Sequence, residues 1–270
     1  MVVVTRRMFL AVTAAASAMG QEILQLAPPK ANARIPYGKD AAQFGDLWLP
    51  KGAGPHPTVI FIHGGFWRNA FTLDHCGHLC KALAGAGAAV WNIEYRRLGD
   101  PGGGWMGTFD DVIHAAEYLP RLEQRYNLDL KRLIGAGHSA GGHLVLWLAA
   151  QRVADLRGVA PLAAISDLKR AFALQMDGGV VGQLLGGSPT QVPQRYEAAS
   201  PMELLPISVP QRLIHGTADR IVPFDMSERF AKASSNAKLI PMQGAGHFDL
   251  IDPRSRAWPE VEKGILDWQF

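Results

Sequence analysis

Only two cysteines, Cys76 and Cys80, occur in the 270 residues, too few for a disulfide-stapled scaffold. No apolar run reaches the ~20 residues that cross a bilayer. The longest runs from Met8 to about Met19, at the amino terminus. Neither charge dominates: 27 basic residues against 24 acidic leave a formal net charge of +3. No basic run lies beyond the first residues, so nothing points to a nucleic-acid or anionic-membrane partner. Internal repeats, low-complexity blocks and long linkers are absent as well. What is present is 48% hydrophobic residues, in a length that can bury one full core.

The most informative stretch is Leu133-Ile134-Gly135-Ala136-Gly137-His138-Ser139-Ala140-Gly141-Gly142-His143. An apolar run ends in Gly137-His138-Ser139-Ala140-Gly141, and Leu144, Val145, Leu146, Leu148 and Ala149 follow in a helix-like pattern. This predicts strand, sharp turn and helix, with a serine at the apex. A serine held there has a strained backbone. Strand and helix approach too closely for side chains two positions to either side, which accounts for Gly137 and Gly141. The N–H of Ala140 then points into the space the hydroxyl faces. Alone, the pattern is weak, because a chain of this length shows it by chance about one time in ten. The other catalytic groups have to be found independently.

Upstream, Thr58 to Ile62 is a continuous apolar, β-branched run expected to be a buried central strand. It leads into His63-Gly64-Gly65-Phe66-Trp67, where two glycines let the backbone bend so that its N–H groups face a cavity. Acyl transfer needs such donors, since negative charge develops on the former carbonyl oxygen; each fixed donor contributes on the order of 3 kcal/mol. We assign the donors to Gly65, Phe66 and Ala140.

Downstream, Gln211 to Ile214 reads as a strand running into His215-Gly216-Thr217-Ala218-Asp219. Ala237 to Pro241 reads as another strand, followed by the loop Gly244-Ala245-Gly246-His247-Phe248. The chain order Ser139, Asp219, His247 is the order of α/β hydrolases. His247 would take the proton of Ser139, and Asp219 would orient the imidazole and stabilise its cationic form. Asp167 competes for the acid, whereas Asp249 and Asp252 follow His247 and break the order.

These residues resemble those of α/β hydrolases of the esterase/lipase branch, and the resemblance covers Ile35 to Phe270. His-Gly-Gly-x-Trp together with Gly-His-Ser-Ala-Gly-Gly-His is similar to small esterases that include feruloyl and acetyl-xylan esterase-like enzymes and the kynurenine formamidases. The chain departs from the hormone-sensitive-lipase pattern, which has a third glycine where Phe66 stands. The resemblance implies an α/β fold, a mostly parallel central sheet with helices on both faces, and hydrolysis of an ester or amide of a small molecule. Residues 167–202, including the glycine-rich Gly178 to Gly187, interrupt the strand–helix alternation and are expected to form a small helical cap. Trp67, Trp105 and His138, with Phe66, are expected to line the substrate pocket. For Trp67, a plug beneath the helix is an equal alternative. Phe44 to Leu49 is expected as an early antiparallel strand, Leu73 to Ala86 as the first helix, and Thr108 to Tyr126 as one amphipathic helix.

Cys76 and Cys80 lie four apart in that first expected helix, near His75 and His78. The spacing fits no zinc pattern and no second pair exists, so no metal or cofactor is assigned and buried thiols are the better reading.

At the amino terminus, Arg6-Arg7 precedes the short apolar run, as in a twin-arginine export signal. Two small-x-small sites follow, Ala16-Ser17-Ala18 and Ala31-Asn32-Ala33. Cleavage is expected after Ala33, giving a single exported domain, 34–270, in the periplasm or outside the cell. That cut removes three cations and one anion and takes the formal charge from +3 to +1.

Three functions fit: an exported carboxylesterase for small or carbohydrate-linked esters, an amidase of the kynurenine formamidase type, and a catalytically silent binding protein. The export signal counts against the second and the complete set of catalytic groups against the third. Oligomeric state and acyl specificity are not legible.

Overall fold

The computed structural model describes residues 21–269. Arg6-Arg7, the apolar run and Ala16-Ser17-Ala18 lie outside them. Eight strands form one sheet: β1 Ala33–Pro36, β2 Phe44–Trp48, β3 His56–Ile62, β4 Ala89–Ile93, β5 Leu128–His138, β6 Gly158–Leu162, β7 Gln211–Gly216 and β8 Ala237–Met242. Their order is β1-β2-β4-β3-β5-β6-β7-β8. β1 and β2 pair antiparallel, as do β2 and β4, and every other pair is parallel. The expected mostly parallel sheet is therefore present, with an antiparallel edge.

The parallel strands are buried on both faces, which explains why they read as unbroken apolar runs. Along β3, Val59 and Phe61 join one hydrophobic cluster and Ile60 and Ile62 the other. Helices α1 Gly77–Gly85 and α9 Trp258–Leu266 cover the first face through Leu79, Leu83, Val261 and Ile265. Helices α2 Gly107–Glu117, α3 Leu119–Tyr126, α4 Ala140–Gln151 and α8 Asp225–Ala233 cover the second.

Two expected helices are subdivided. Residues 73–76 form a single tight 3-10 turn before α1, and the segment 108–126 breaks at Tyr118 into α2 and α3. Pro120 sits in the first turn of α3, where its missing N–H costs no hydrogen bond. Between β6 and β7, where a helical cap is expected, lie three short helices: α5 Leu168–Ala173, α6 Val180–Leu185 and α7 Pro193–Ala199.

The expected boundary after Ala33 meets packed structure. Ala33 is the first residue of β1 and pairs with Leu47. Asn32 donates its N–H to the Leu47 carbonyl, and its side chain accepts the N–H of Leu49 at 2.8 Å. Ile23, in a 3-10 turn at Gln21–Gln25, is buried in the core cluster that holds Phe248 and Leu250. Residues 21–32 thus sit on the domain, and a cut at Ala33 would strip part of its core.

β4 lies on one side of β3 and β5 on the other. The connection leaving β3 runs to β4 on one side and that leaving β5 runs to β6 on the other, so the two diverge and a crevice opens between the carboxyl ends of β3 and β5. Ligands bind open α/β sheets at such a switch point.

Candidate active site

Ser139 follows β5 with φ 58° and ψ −118°, the left-handed turn expected from the sequence. The glycines around it have measurable reasons. A Cβ on Gly137 would lie 2.3 Å from the Gly141 carbonyl oxygen, and one on Gly141 would lie 1.9 Å from that of Ile62. Ala140 opens α4, so its N–H belongs to the first turn and has no partner within the helix. From β3 the chain enters the other side of the crevice, where Gly65, Phe66 and Trp67 have φ of 108°, 52° and 53°. Three successive left-handed residues reverse the backbone sharply next to the serine. A Cβ on Gly64 would come within 3.0 Å of Ser139 Cβ.

A buried polar network fixes this loop. His63 Nε2 donates to Glu94 Oε1 at 2.8 Å, and the other carboxylate oxygen accepts the Leu73 N–H at 3.0 Å. Arg97 pairs with Glu94 at 2.9 Å and donates to the Phe71 carbonyl. The Tyr95 hydroxyl donates to the His63 carbonyl at 3.0 Å, its ring stacked on the imidazole. Burial by itself would raise the Glu94 carboxyl; His63 and Arg97 outweigh it and hold the group below its ordinary range.

Beyond β7 and β8, Asp219 and His247 meet. His247 Nδ1 donates to Asp219 Oδ2 at 2.6 Å. Asp219 Oδ1 accepts the N–H groups of Ile221 and Val222 at 2.8 and 2.9 Å. His215 places a second imidazole 3.4 Å from Asp219. Burial alone would raise this carboxyl, but the two imidazoles hold it well below the carboxylate range. Asp219 is thus a buried anion with its lone pairs satisfied. The competing acids have other partners: Asp167 caps α5 through the Arg170 N–H, Asp249 accepts the Gly246 N–H, and Asp252 pairs with Arg254.

His247 lies against His138, the residue that precedes Ser139. The His138 and His247 rings lie 4.4 Å apart, and His138 Nε2 donates to the His247 carbonyl at 3.0 Å. Among the described residues no hydrogen bond joins Ser139 to His247; such contacts commonly tighten only when substrate binds.

Two residues expected at the pocket are fully buried. Trp67 is fully buried and meets His143 edge-on at 5.1 Å, because the left-handed turn drives its ring back beneath α4. It is the plug, with no face open to substrate. His138 is likewise fully buried and anchors the His247 loop. Burial first, then the like charges of His247 and His75, push its pKa well down, so it is a neutral imidazole. Phe66 is almost fully buried as well. Trp105 is half-buried, its backbone N–H donating to the Leu184 carbonyl and its ring 5.3 Å from that of Phe109. Cys76 and Cys80 are buried free thiols, pushed up by burial.

The serine hydrolase family model matches residues 113–267, more than half of the chain and the whole stretch that carries Ser139, Asp219 and His247. The chain belongs to the serine hydrolase family. A second model, BD-FAE, matches residues 46–157 of this serine hydrolase, spanning the His63 turn and the Ser139 turn. Esterase LipC of Mycobacterium tuberculosis is 27% identical over 249 residues, covering 81% of this chain and 60% of that protein. A probable isoprenylcysteine alpha-carbonyl methylesterase of Oryza sativa is 26% identical, covering 80% and 57%. The chain thus spans about three fifths of the length of these relatives. A truncated carbohydrate esterase from gut microbiota superposes with a TM-score of 0.75 at 20% identity, covering 89% of this chain and 95% of that one. Esterase Est2 of Thermogutta terrifontis, bound to propionate, gives 0.70 at 21%, covering 89% and 93%. The fold is that of the α/β-hydrolase esterases.

Sequence reasoning missed Glu94 and His215. His215 stands four residues before Asp219, a spacing that could have marked it. Glu94 lies 31 residues from His63 and only the pairing of β3 with β4 joins them.

Proposed function

We propose that this serine hydrolase is a carboxylesterase for small or carbohydrate-linked esters, working through Ser139, His247 and Asp219. The Asp219–His247 hydrogen bond, at the sheet end where a serine stands in a left-handed turn, carries the reading. With Nδ1–H given to Asp219, Nε2 of His247 is left with a lone pair to accept the Ser139 proton. The serine oxygen attacks the ester carbonyl, and the Ala140 N–H and the Gly65–Phe66 turn meet the oxyanion. His247 returns the proton to the departing alcohol. Water then repeats the cycle on the acyl-enzyme. Asp219 stays ionised throughout, because its pKa lies far below any working pH. The half-buried Trp105 is the remaining aromatic face for the substrate.

The test is hydrolysis of p-nitrophenyl esters from acetyl to decanoyl beside N-formylkynurenine, with wild type and Ser139→Ala. Ester turnover lost in the variant supports the reading; turnover confined to N-formylkynurenine replaces it with a formamidase. We also propose export through the Arg6-Arg7 signal, with the cut at Ala16-Ser17-Ala18, since residues 21–32 pack on the domain. Amino-terminal sequencing of exported protein that begins at Met1 or Arg34 would refute this site.

A further inference from the structure

We propose that the cavity between residues 23–28 and 70–75 binds the apolar chain of a neutral ester, so that the amino-terminal segment sets chain-length preference. The inference rests on the esterase reading. The cavity encloses about 530 Å³ and is lined by Ile23, Leu24, Leu26 and Phe71, with Asp74 and His75 among its polar groups. That volume lies within the range of small-molecule sites, and mostly apolar walls with a few polar groups are their usual make-up.

Its position connects it to the chemistry. Phe71 packs on the oxyanion turn, where a Cβ on Gly65 would lie 2.4 Å from Phe71 Cβ. The His75 ring is 5.5 Å from His138 and 5.9 Å from Phe248, the neighbour of His247. The inner wall of the cavity is therefore the outer side of the catalytic layer. The outer wall is residues 23–28, held in place by three contacts. Ile23 is buried in the core, His78 Nε2 donates to the Ala27 carbonyl at 3.1 Å, and Pro28 and Pro29 lie against Gly77. Asp74 places a carboxylate at the cavity and so disfavours an anionic chain such as a dicarboxylic half-ester.

Leu26 is 41% exposed, and Ala70 faces it from the opposite wall and is also exposed. Leu26→Trp and Ala70→Phe fill the cavity from two sides without entering the core. For each, kcat/KM is measured with p-nitrophenyl acetate and octanoate, and with ethyl and octyl acetate. The ratio of long to short chain should fall about tenfold in one of the two series, a loss equal to a few buried methylenes. The series that responds identifies the acyl or the alcohol side. Ratios unchanged in both series for both variants would overturn the proposal. Inactivation by ethyl and octyl fluorophosphonates separates the two readings. Failure of both reagents to label Ser139 in wild type defeats the esterase reading and the cavity with it. Labelling whose chain-length preference survives both variants defeats the cavity alone.

Discussion

The Ser139 turn and the α5–α7 insert are built on opposite principles. At the turn, backbone meets backbone: Gly137 and Gly141 sit so close to neighbouring carbonyls that a single methyl group cannot enter, and Ser139 holds a left-handed φ between them. The insert is held by apolar side chains buried in the main core, Leu168, Val180, Leu184 and Tyr196 among them, and by polar pairs at its surface. Arg68, directly after the Gly65–Trp67 turn, binds Asp177 at 2.5 Å and Gln183 at 3.1 Å; Lys169 pairs with Glu203, and Arg170 with Asp225. Its helices are six or seven residues long, too short to stand without those ties. Chemistry is fixed where covalent geometry fixes it. The insert is fixed by buried apolar packing, with polar pairs around it that can be exchanged one at a time.

The largest losses are expected at the Ser139 turn. Ser139→Ala should lower kcat by about a million-fold with an unchanged circular dichroism spectrum, since only a hydroxyl is removed. Asp219→Asn should cost about ten-thousand-fold in kcat with KM little altered, because the imidazole loses the anion that fixes its tautomer. Steady-state kinetics on p-nitrophenyl acetate reads both. Gly141→Ala should destabilise the fold by about 3 kcal/mol or more, seen as a lower denaturation midpoint, because the Cβ meets the Ile62 carbonyl.

A fourth prediction concerns acid. His143, wholly buried on α4, donates to the Ala199 carbonyl, and burial lowers its pKa to about 4. The unfolded chain takes up that proton near pH 6.5. The folded chain resists it, so stability present above about pH 6.5 is lost as pH falls toward about 4, by about 3 kcal/mol. His143→Gln keeps a donor but removes the titration, and its stability should fall less steeply across that window. The smallest effect belongs to the insert. Arg68→Ala removes a partly exposed pair, worth about 1 kcal/mol. Melting temperature should drop by a few degrees and KM should rise about fivefold at most. A larger loss in kcat would mean that the insert orders the oxyanion turn.

The same contrast governs what the sequence reveals. Gly137, Gly141, Gly64 and Gly65 announce tight turns because no other residue survives there, and the strands that flank them read as apolar runs. Asp219 and His247 follow strand ends, where the sheet delivers them to one place. The direction of a side chain beside a sharp turn is not legible. Trp67 and His138 read as pocket residues because they adjoin the Gly65 and Ser139 turns, yet both rings are buried. Nor does local pattern show that Glu94 lies beside His63, or that β1 begins at Ala33. Those depend on pairings between strands distant in the chain.

The central claim is that Ser139, activated by His247 and Asp219, carries the acyl group. Acid-quenching the enzyme during turnover of p-nitrophenyl acetate, then mapping the adduct by peptide mass spectrometry, tests it most directly. An acetyl group on the Ser139 peptide, absent from Ser139→Ala and strongly reduced in His247→Ala, is the result this account predicts. Turnover that persists in Ser139→Ala, or acetyl found only on another residue, would contradict it.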